Sequence, residues 1–374
     1  MAERDPAELL RALETAPDDA LRPVRPLLSD RVGRDPARLG VILVNYRQAA
    51  VTIECLESLL RLPGAFRIVV VDNGSEDGSV EALRSWASGA APYVAPEGPL
   101  ARLSTPPVAK PVELVERGPG ARVPPGEQAP RLTLIETGAN LGFAGGNNVG
   151  TRYLLSDPQV DRFWYLNNDC VVMPGAIEAI LGTFESDPRM GMLGTTVRYY
   201  DAPDRVQAHN GARFSLLTGN GYFIQKDSRA ADPCDAKRVV DQTGFVFGAS
   251  LAVTRELIET VGFMSERYFL YYEEIDWATR ARPRFRIGFA RGATVFHHGG
   301  VSSGTKAERS GRSAFADHHM LRSRLLFYRT HHPWLLPVIW PLGVLQTASR
   351  LLRRQPAKAN AMARALLGRP YVPA

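Results

Sequence analysis

Cysteine is scarce in this sequence. The 374 residues include only three cysteines, Cys55, Cys170 and Cys234, and these are widely separated. No CxxC pair or other spacing typical of a zinc site occurs among them. A sparse, odd number of cysteines excludes a disulfide-stapled scaffold and is typical of a protein that keeps free thiols in a reducing compartment.

The sequence also lacks a signal peptide and a long apolar run. Residues 1–21 are rich in Asp, Glu and Arg and contain no apolar stretch of the kind that a signal peptide needs. No segment reaches about 18 consecutive apolar residues, the length that indicates a membrane span. We therefore expect a cytoplasmic protein.

Dense basic runs are absent as well. The formal net charge is +6, yet no Lys/Arg cluster is interleaved with aromatic residues as in nucleic-acid-binding proteins. The modest positive charge fits polyanionic ligands or an anionic membrane face, and no nucleic acid partner is expected. With 45% hydrophobic and 22% charged residues, the composition is that of a globular protein with a large core.

Strands and helices alternate in the first part of the chain. After a leader over residues 1–38, apolar runs at 41–44 and 66–71 predict buried strands, and helical spacing over 50–62 predicts the helix between them. This order implies right-handed crossovers and a parallel sheet. Asp72 ends the second strand, where it fits either a contact with a nucleotide or a turn or N-cap aspartate.

Residues 89–131 interrupt this pattern with ten prolines. A loop of this length is uncommon inside a compact domain. We interpret it as a mobile insertion that carries a short strand near 112–115. It fits either a tolerated surface excursion or a lid over the substrate.

A glycine-rich loop at 137–148 follows the next strand, 132–135, and opens a helix that runs to about residue 155. Glycines before a helix let backbone amides approach a phosphate. The dinucleotide-binding fingerprint is excluded, because these glycines do not follow the first strand of the sheet.

Three small polar residues follow the most apolar strand of this sheet. The strand at 163–166 runs directly into Asn167, Asn168 and Asp169. Ligands of open α/β sheets bind at the carboxyl ends of strands. A carboxylate with two amides suits a hard cation such as Mg²⁺ or Mn²⁺, which shares its coordination with substrate phosphates. In isolation, the same residues also fit a simple turn.

The middle of the chain is predicted to be rich in strands. A final strand pair over 285–295 ends at His297 and His298, and two histidines beside glycines fit a metal or phosphate contact. The other elements expected here are a helix over 174–184 and strands over 190–197, 213–216, 222–224 and 246–253.

The segment at 268–277 surrounds three carboxylates with five aromatic residues. As a helix it places Glu273, Asp276 and Arg280 on one face and turns Glu274 about 100° away. Asp276 and Arg280 fit an ordinary i,i+4 ion pair. An aromatic wall beside a carboxylate excludes water, raises the pKa of the carboxyl group and suits a general base. The residues expected at the acceptor site or its wall are Tyr272, Glu273, Asp276 and Trp277.

The C-terminal part, residues 304–374, is predicted to be a helical extension. It starts with a basic amphipathic helix over 313–330. The next segment, 333–345, is very apolar, but as a helix it would be only about 20 Å long and its prolines would disrupt it, so we expect no membrane span. A peripheral membrane contact through 333–354 and a hydrophobic dimer interface or core cover fit equally well. The residues that suggest the membrane contact are Trp334, Trp340, Arg350, Arg353 and Arg354.

Taken together, these stretches resemble glycosyltransferase family 2, the inverting enzymes with a GT-A fold, and in particular its bacterial rhamnosyltransferase-like members. Each motif is short, but six occur in the family's order over roughly residues 41–303. They are Val44-Asn45-Tyr46, Val71-Asp72-Asn73-Gly74-Ser75, Asn140-Leu141-Gly142-Phe143-Ala144-Gly145-Gly146-Asn147-Asn148, Leu166-Asn167-Asn168-Asp169, Arg267-Tyr268-Phe269-Leu270-Tyr271-Tyr272-Glu273-Glu274-Ile275-Asp276 and Phe296-His297-His298-Gly299-Gly300.

The resemblance implies an α/β, Rossmann-like GT-A domain over 39–303, with a mostly parallel central sheet flanked by helices. It implies that Asp169 and His297 hold a divalent metal, Mg²⁺ or Mn²⁺, together with Asn167. Because Asn167 replaces the family's first aspartate, the site is less anionic than usual. Glu274 falls on the position of the catalytic base. The residues implied in donor binding are Asn45, Asp72, Asn73, Asn140, Gly142, Gly146, Asn147 and Asn168.

The implied reaction moves a sugar from a nucleotide-diphosphate donor to a hydroxyl group of a glycan or lipid-linked acceptor, with inversion at the anomeric carbon. Glu274 would take the proton of that hydroxyl group. The expected donor is dTDP-rhamnose, with UDP-hexoses and UDP-galactofuranose as alternatives. The resemblance places the work of the enzyme in cell-wall or polysaccharide biosynthesis, at the inner face of the cell membrane.

Two other functions compete with this one. A nucleotidyltransferase would need a basic glycine-rich loop directly after the first strand, and Val44-Asn45-Tyr46-Arg47 does not supply one. A non-catalytic sugar-nucleotide-binding subunit would be favoured by the loss of Glu274 or Asp169, and both residues are present.

Overall fold

The computed structural model describes residues 38–299 and 312–373. The predicted leader over 1–38 lies outside the described residues except for its last residue. The predicted boundary between residues 303 and 304 lies outside them as well.

Thirteen strands occur in the described part of the chain, and ten of them form one central sheet in the order β3-β4-β2-β1-β5-β12-β7-β13-β6, with β8 beside β7. Strands β9 to β11 form a small antiparallel sheet. The strands are β1 (Leu39–Asn45), β2 (Arg67–Asp72), β3 (Val115–Arg117), β4 (Leu132–Glu136), β5 (Arg162–Leu166), β6 (Cys170–Val172), β7 (Met190–Tyr199), β8 (Val206–His209), β9 (Gly211–Ser215), β10 (Asn220–Phe223), β11 (Phe245–Val246), β12 (Ser250–Thr254) and β13 (Arg286–His297).

The first half of the sheet is parallel, as the alternation of strands and helices predicted. Strands β3, β4, β2, β1 and β5 pair in parallel, and their apolar side chains are buried on both faces. The β1–β2 register sets Asn45 opposite Asp72. Polar strand ends therefore meet at one edge of the sheet, where open α/β folds bind their ligands.

Helices cover both faces of the sheet and bury two large apolar clusters against it. They begin near the predicted residues, because apolar side chains recur at helical spacing between turn residues. The helices are α1 (Ala49–Leu60), α2 (Ser79–Ser88), α3 (Gly142–Leu155), α4 (Ala176–Ser186), α5 (Ala236–Gln242), α6 (Arg255–Val261), α7 (Glu273–Ala281), α8 (Ala314–His331), α9 (Leu336–Leu352) and α10 (Pro356–Leu366).

The proline-rich insertion is anchored to the domain, which differs from the mobile lid considered for it. The carboxylate of Glu57 is fully buried and accepts hydrogen bonds from Trp86 Nε1 (2.8 Å) and Val108 N (2.7 Å). Lys110 Nζ lies 2.9 Å from the same carboxylate and 3.9 Å from the centre of the Trp86 ring. The insertion also supplies the edge strand β3, so it packs beside the sheet and does not line the cleft described below.

Two strand predictions were wrong in detail. Residues 246–253 form two strands, because the chain bends at 247–249 between β11 and β12. The predicted strand pair over 285–295 is the single strand β13, whose pairing with β7 shifts between Ala290 and Thr294. An irregularity of this kind bends a long strand without ending it.

The C-terminal helices α8 to α10 pack on the domain through a third apolar cluster, which includes Tyr272 of α7's N-terminus and Phe327 of α8. The expectation that prolines would disrupt the apolar segment was wrong. A short 3₁₀ turn and α9 run without interruption over Pro333–Leu352, since Pro337 lies in the first turn, where its missing N–H is not needed.

By length and mean hydropathy, Pro333–Leu352 is the one helix of the described residues that could cross a membrane, and 11% of its apolar window is buried. This corrects the expectation that no segment reaches that length. Ile339 and Gly343 are buried, and a Cβ on Gly343 would meet Leu321 of α8 and Leu366 of α10. One side of α9 therefore packs on the neighbouring helices, and most of the rest is exposed.

Candidate active site

A cleft of about 1760 Å³ opens at the carboxyl ends of the central strands. Its lining comes from the glycine-rich loop, the end of β5, the β11–β12 bend, the N-terminus of α7, the end of β13 and the C-terminal helices. The motifs singled out in the sequence thus converge on one cavity, although they are spread over more than half of the chain.

Asn45 and Asp72 form a buried brace under one side of this cleft. Asn45 Nδ2 donates to Asp72 Oδ2 (2.7 Å), and Ser75 N donates to Asp72 Oδ1 (2.8 Å). Both side chains are almost completely buried and neither lines the cleft. The predicted donor contact of these two residues stays a prediction, because in this structure Asp72 Oδ2 accepts from Asn45 on β1 and Asp72 Oδ1 accepts from the loop that follows β2.

Asn73 connects that loop to the glycine-rich loop. Its amide donates to Asn140 Oδ1 and to the Gly142 carbonyl (both 3.1 Å), and its oxygen accepts from Leu141 N (3.0 Å). Gly142 has a φ of 73°, and a Cβ there would lie 2.3 Å from the carbonyl oxygen of Phe269. Only glycine fits this position, so the loop is held in one conformation before any ligand binds.

Two further residues of this loop have different surroundings. Asn147 lines the cleft and donates from Nδ2 to the Phe143 carbonyl (3.0 Å). Gly146 faces the sheet, where a Cβ would lie 2.9 Å from Val44 Cγ1. The structure therefore places Asn147 at the predicted site and gives Gly146 a packing role under it.

Asp169 and His297 meet at the floor of the cleft, as the sequence predicted. His297 Nδ1 lies 2.9 Å from Gln207 Oε1, so Gln207 fixes the orientation of the ring and leaves Nε2 beside Asp169 and Asn167. His297 Nε2 lies 3.2 Å from Asp169 Oδ1, and this buried oxygen has no hydrogen-bond partner in the described structure. A cation or a proton between these two atoms would satisfy both of them.

The electrostatics of Asp169 favour its ionised form. Burial raises the pKa of this carboxyl group, but His297 and His298 outweigh the burial, so that the pKa lies below its ordinary value. A buried carboxylate beside an imidazole whose other nitrogen contacts Gln207 is the arrangement of a metal site with an outer-shell partner.

The neighbouring residues divide into two groups. Asn167 Nδ2 lies 3.1 Å from His297 Nε2, so it is at the same corner. Asn168 Nδ2 donates to Thr52 Oγ1 (2.8 Å), so it ties the turn to α1. Cys170 Sγ also lies near Asp169 and His297, but burial raises the pKa of the thiol well above its ordinary value, which keeps it protonated and leaves an oxygen-preferring corner.

Glu274 faces the same cleft from the N-terminus of α7. Burial raises the pKa of its carboxyl group to about 7, although backbone N–H groups of Glu274 and Gly248 oppose this rise. A Cβ on Gly248 would lie 2.0 Å from Glu274 Oε1. The β11–β12 bend therefore needs glycine at this position, because the carboxylate sits directly against its backbone.

The backbone before Glu274 is strained. Tyr271 and Tyr272 both have left-handed φ values, 68° and 76°, which cost about 1–3 kcal/mol each for residues that are not glycine. Packing holds them there: the Tyr272 ring contacts Phe214 and Phe327 edge-on or tilted, and its hydroxyl group donates to the Gly219 carbonyl. The strain turns α7 so that its first residues face the cleft.

The remaining predicted wall residues are in three environments. Glu273 and Tyr272 line the cleft, and burial beside Glu274 raises the pKa of Glu273 well above its ordinary value. Asp276 lies behind the wall, paired with Arg280 (2.8 Å) and His331 (2.7 Å). Trp277 is a core residue whose Nε1 donates to the Gly262 carbonyl (2.9 Å). The prediction that Asp276 and Trp277 form part of the wall was wrong, since helical periodicity turns both of them toward the core.

Sequence reasoning missed several residues of the cleft. Gln207 lies on β8, a strand that was not predicted, and its contact with His297 spans 90 positions. Gly248 had a weak signal, since small residues are frequent at 246–253. Four arginines on the C-terminal side of the cleft gave no sequence signal that they belong to it, because only the folding of α8 and α9 onto the domain brings them there. They are Arg312, Arg324, Arg350 and Arg353.

The sequence model described as glycosyl transferase family 2 matches residues 40–97 and 123–247 of this chain. The unmatched residues between the two parts fall within the proline-rich insertion. The matched parts contain the brace, the glycine-rich loop and Asp169. The fold and the first half of the cleft are thus those that the family's sequence pattern describes.

Two relatives and one solved structure resemble this chain. An N-acetylglucosaminyl-diphospho-decaprenol L-rhamnosyltransferase of Mycobacterium tuberculosis is 29% identical over 247 residues, which cover 61% of this chain and 78% of that protein. The low-salt glycan biosynthesis hexosyltransferase Agl10 of Haloferax volcanii is 23% identical over 269 residues, which cover 70% of this chain and 67% of that protein. The structure of a mannosyltransferase of Pyrobaculum calidifontis, in complex with GDP-Man and Mn²⁺, aligns with a TM-score of 0.45 and 14% identity over 96% and 93% of the two chains.

The order of the parallel strands, the polar strand ends at one edge and the family match lead to the same assignment as the six sequence motifs. This chain belongs to glycosyltransferase family 2 and is a glycosyltransferase with the GT-A fold.

Proposed function

We propose that this enzyme transfers L-rhamnose from dTDP-rhamnose to a hydroxyl group of a lipid-linked glycan, with inversion. The observation that carries the proposal is the half-buried Glu274 carboxylate with a pKa of about 7, which faces the same cleft as Asp169 and His297. The rhamnosyltransferase name of the 29% identical relative supports the choice of sugar and of acceptor. A UDP-hexose or UDP-galactofuranose transferase is the second candidate, because the other relative is named a hexosyltransferase.

The metal corner fits a divalent cation such as Mg²⁺ or Mn²⁺. Asp169 Oδ1 and His297 Nε2 would hold it, with Asn167 beside them, and the orphaned buried oxygen of Asp169 would gain its missing partner. When bound, such a cation offsets negative charge on the diphosphate of the donor. Because Asn167 is neutral, the affinity of the corner for the cation depends strongly on Asp169.

Glu274 acts as the general base. Its pKa of about 7 lets it accept a proton near neutral pH while remaining largely ionised above that value. It takes the proton of the acceptor hydroxyl group as that oxygen attacks the anomeric carbon, opposite the departing diphosphate. One carboxylate suffices for this single displacement, and the raised pKa of the buried Glu273 beside it favours the protonated form of that neighbour.

The donor occupies the side of the cleft formed by the glycine-rich loop. Asn73, Asn140 and Asn147 line that side, and the hydrogen bonds of Asn73 fix the loop in advance. A loop that is already ordered loses little conformational freedom when the nucleotide binds.

The enzyme works at the inner face of the cell membrane, which it contacts through α9. The exposed side of this segment carries large apolar residues, with Trp334 68%, Leu345 65% and Leu352 87% exposed. Because tryptophan and arginine prefer the interface between lipid and water, this side is suited to lie in the headgroup region. A homodimer interface is the competing occupant of the same side.

A panel of sugar nucleotides tests the catalytic proposal. Thermal stability and nucleotide release are measured with Mn²⁺, with Mg²⁺ and with EDTA. We expect dTDP-rhamnose alone to raise the melting temperature in a metal-dependent way and to be hydrolysed slowly. A response to a UDP-sugar would favour the second candidate, and no response to any donor would contradict the assignment of the donor side.

Vesicle co-sedimentation tests the membrane proposal. A variant with Trp334→Ser and Trp340→Ser should lose binding to vesicles that contain anionic lipids. Val94→Ser, which replaces an apolar residue that is 82% exposed on the insertion, is the control and should bind like the wild type. A wild-type dimer that the double variant dissociates, with no vesicle binding by either protein, would support the dimer interface instead.

A further inference from the structure

One side of the cleft carries a positive charge that the reaction described above does not use. Arg324 of α8 lines the cleft, yet it is 4% exposed. It donates to the Thr218 carbonyl (3.3 Å) and to Gln346 Oε1 (2.5 Å), and its Nε atom has no partner. No carboxylate of the described residues forms an ion pair with it. A buried guanidinium group without an anion is costly unless a ligand supplies the anion.

Helix α9 adds to this charge with one of its faces. Gln346, Ser349, Arg350 and Arg353 occupy positions i, i+3, i+4 and i+7 of the helix, so they share a face, and all four line the cleft. Arg350 pairs with Asp317 (2.9 Å), while Arg353 has no partner among the described residues. The arginines therefore outnumber the carboxylates on this side of the cleft.

The charged face of α9 lies opposite its exposed apolar side. Counted at 100° per residue, Leu345, Leu351 and Leu352 lie about 80–160° away from the directions of Gln346 and Arg353. These three leucines are 65%, 59% and 87% exposed. One helix thus presents arginine to the cleft and apolar surface to the outside, as a ligand with a charged head and an apolar tail would require.

The arginine side is close to the catalytic base. A Cβ on Gly219 would lie 2.6 Å from Arg324 Cδ and 2.8 Å from the Tyr272 hydroxyl group, so these two side chains pack on the same glycine. Tyr272 is the residue that turns Glu274 into the cleft. A group bound at Arg324 therefore lies beside Tyr272, two residues before Glu274 in the chain.

We propose that Arg324 and Arg353, with Arg350 and Arg312, bind a phosphate or diphosphate group of the acceptor. Guanidinium groups bind phosphate with two parallel hydrogen bonds. The ligand class is a sugar that is attached through its phosphate to a lipid, with the lipid along the apolar side of α9. This inference rests on the proposed function, and it adds the residues that select a phosphorylated acceptor.

The test compares two acceptors of the same sugar. One is linked through a diphosphate to a short prenyl chain, and the other is an alkyl glycoside without phosphate. Arg353→Gln and Arg324→Met, in the full chain, should each raise the KM ratio of the diphosphate acceptor to the alkyl glycoside by about tenfold or more, since each removes a charge-assisted contact. Arg369→Gln, which removes an exposed charge outside the cleft, is the matched control and should leave the ratio unchanged.

Four results have defined meanings. A selective rise of the KM ratio for the exposed Arg353→Gln supports the proposal even if Arg324→Met fails to fold. An unchanged ratio for Arg353→Gln and for folded Arg324→Met overturns it. A weakened donor Kd in these variants also overturns it, because the arginines would then bind the donor diphosphate. Absence of donor hydrolysis by the wild type would contradict the proposed function itself, which is a separate outcome.

Discussion

The two sides of the cleft differ in how far hydrogen bonds and ion pairs satisfy their buried polar groups. On the donor side, Asn45, Asp72 and Asn73 are buried and fully engaged in hydrogen bonds with neighbouring loops. On the proposed acceptor side, Glu274 has a raised pKa, and no carboxylate of the described residues pairs with the buried Arg324. The first side has its hydrogen bonds satisfied before a ligand binds. The second side holds ionisable groups that a ligand would supply with a partner.

This difference indicates that nucleotide binding and the chemical step depend on different sides of the cleft. Satisfied amides and fixed loops give a rigid surface that recognises a nucleotide at low entropic cost. Desolvated ionisable groups store free energy that is released when protons or charges move, as in many active sites. Substitutions on the donor side should therefore alter binding constants, while those around Glu274 should alter turnover.

Glu274→Gln should give the largest effect. Without the base, kcat should fall by about 10²–10⁴-fold, while the donor Kd measured by calorimetry stays near the wild-type value. Glu273→Gln is the matched control and should lose far less activity, because burial raises the pKa of Glu273 and already favours its uncharged form. Equal losses in the two variants would mean that the two carboxyl groups act as a unit and that the assignment of one base is wrong.

Gly248→Ala should come next. The new methyl group would lie 2.0 Å from Glu274 Oε1, so the carboxylate must move, and a displacement of about 1 Å can cost 10²-fold in kcat. Gly182→Ala, at a helix position where a Cβ meets nothing within 4 Å, controls for the substitution itself. A variant at position 248 with normal turnover would show that the base does not depend on this contact.

Gln207→Leu tests the metal corner from its outer shell. Losing the partner of His297 Nδ1 frees the ring to rotate and to change its tautomer, which should weaken Mn²⁺ binding by about 10–100-fold. The readout is a Mn²⁺ titration in the presence of donor, with kcat at saturating metal as the second measurement. Unchanged Mn²⁺ affinity would exclude His297 as a ligand.

The pH profile should show the smallest and most specific effect. Since Glu274 must be ionised to accept a proton and its pKa is about 7, kcat/KM should rise with pH to a plateau above 7 and fall about tenfold per pH unit well below it. In Glu274→Gln this limb should disappear from the residual activity. A profile that is flat between pH 5 and 8 would be inconsistent with Glu274 as the base.

The same contrast governs what the sequence could predict. Asp169, the glycine-rich loop and Asn73 were found because each follows a strand end within a few residues, so local pattern and topology locate them. The environment of Glu274 was foreseen only as an aromatic wall, and Trp277 was misplaced in that wall. The left-handed Tyr271 and Tyr272 depend on packing against distant parts of the chain, which no local pattern encodes.

Long-range packing also explains the errors outside the site. Pro341 lies inside α9, where sequence rules predict a break, but contacts of α9 with α8 and α10 keep the helix continuous. The proline-rich segment was expected to be mobile because it has little secondary structure. Buried carboxylates anchor it: Glu57, in a helix that gives no sign of this partner, accepts from Val108 N, and Asp157 accepts from Ala129 N.

That anchor has a consequence for any attempt to shorten the protein. Glu57 is completely buried, and the insertion supplies Lys110 as its countercharge and the Val108 amide as a donor. Trimming the loop to the length of the family pattern would strand an anion in the core and uncover one face of Trp86. The insertion and the buried Glu57 are therefore coupled. A shortened version of this enzyme needs a neutral residue at position 57 before the loop can be removed.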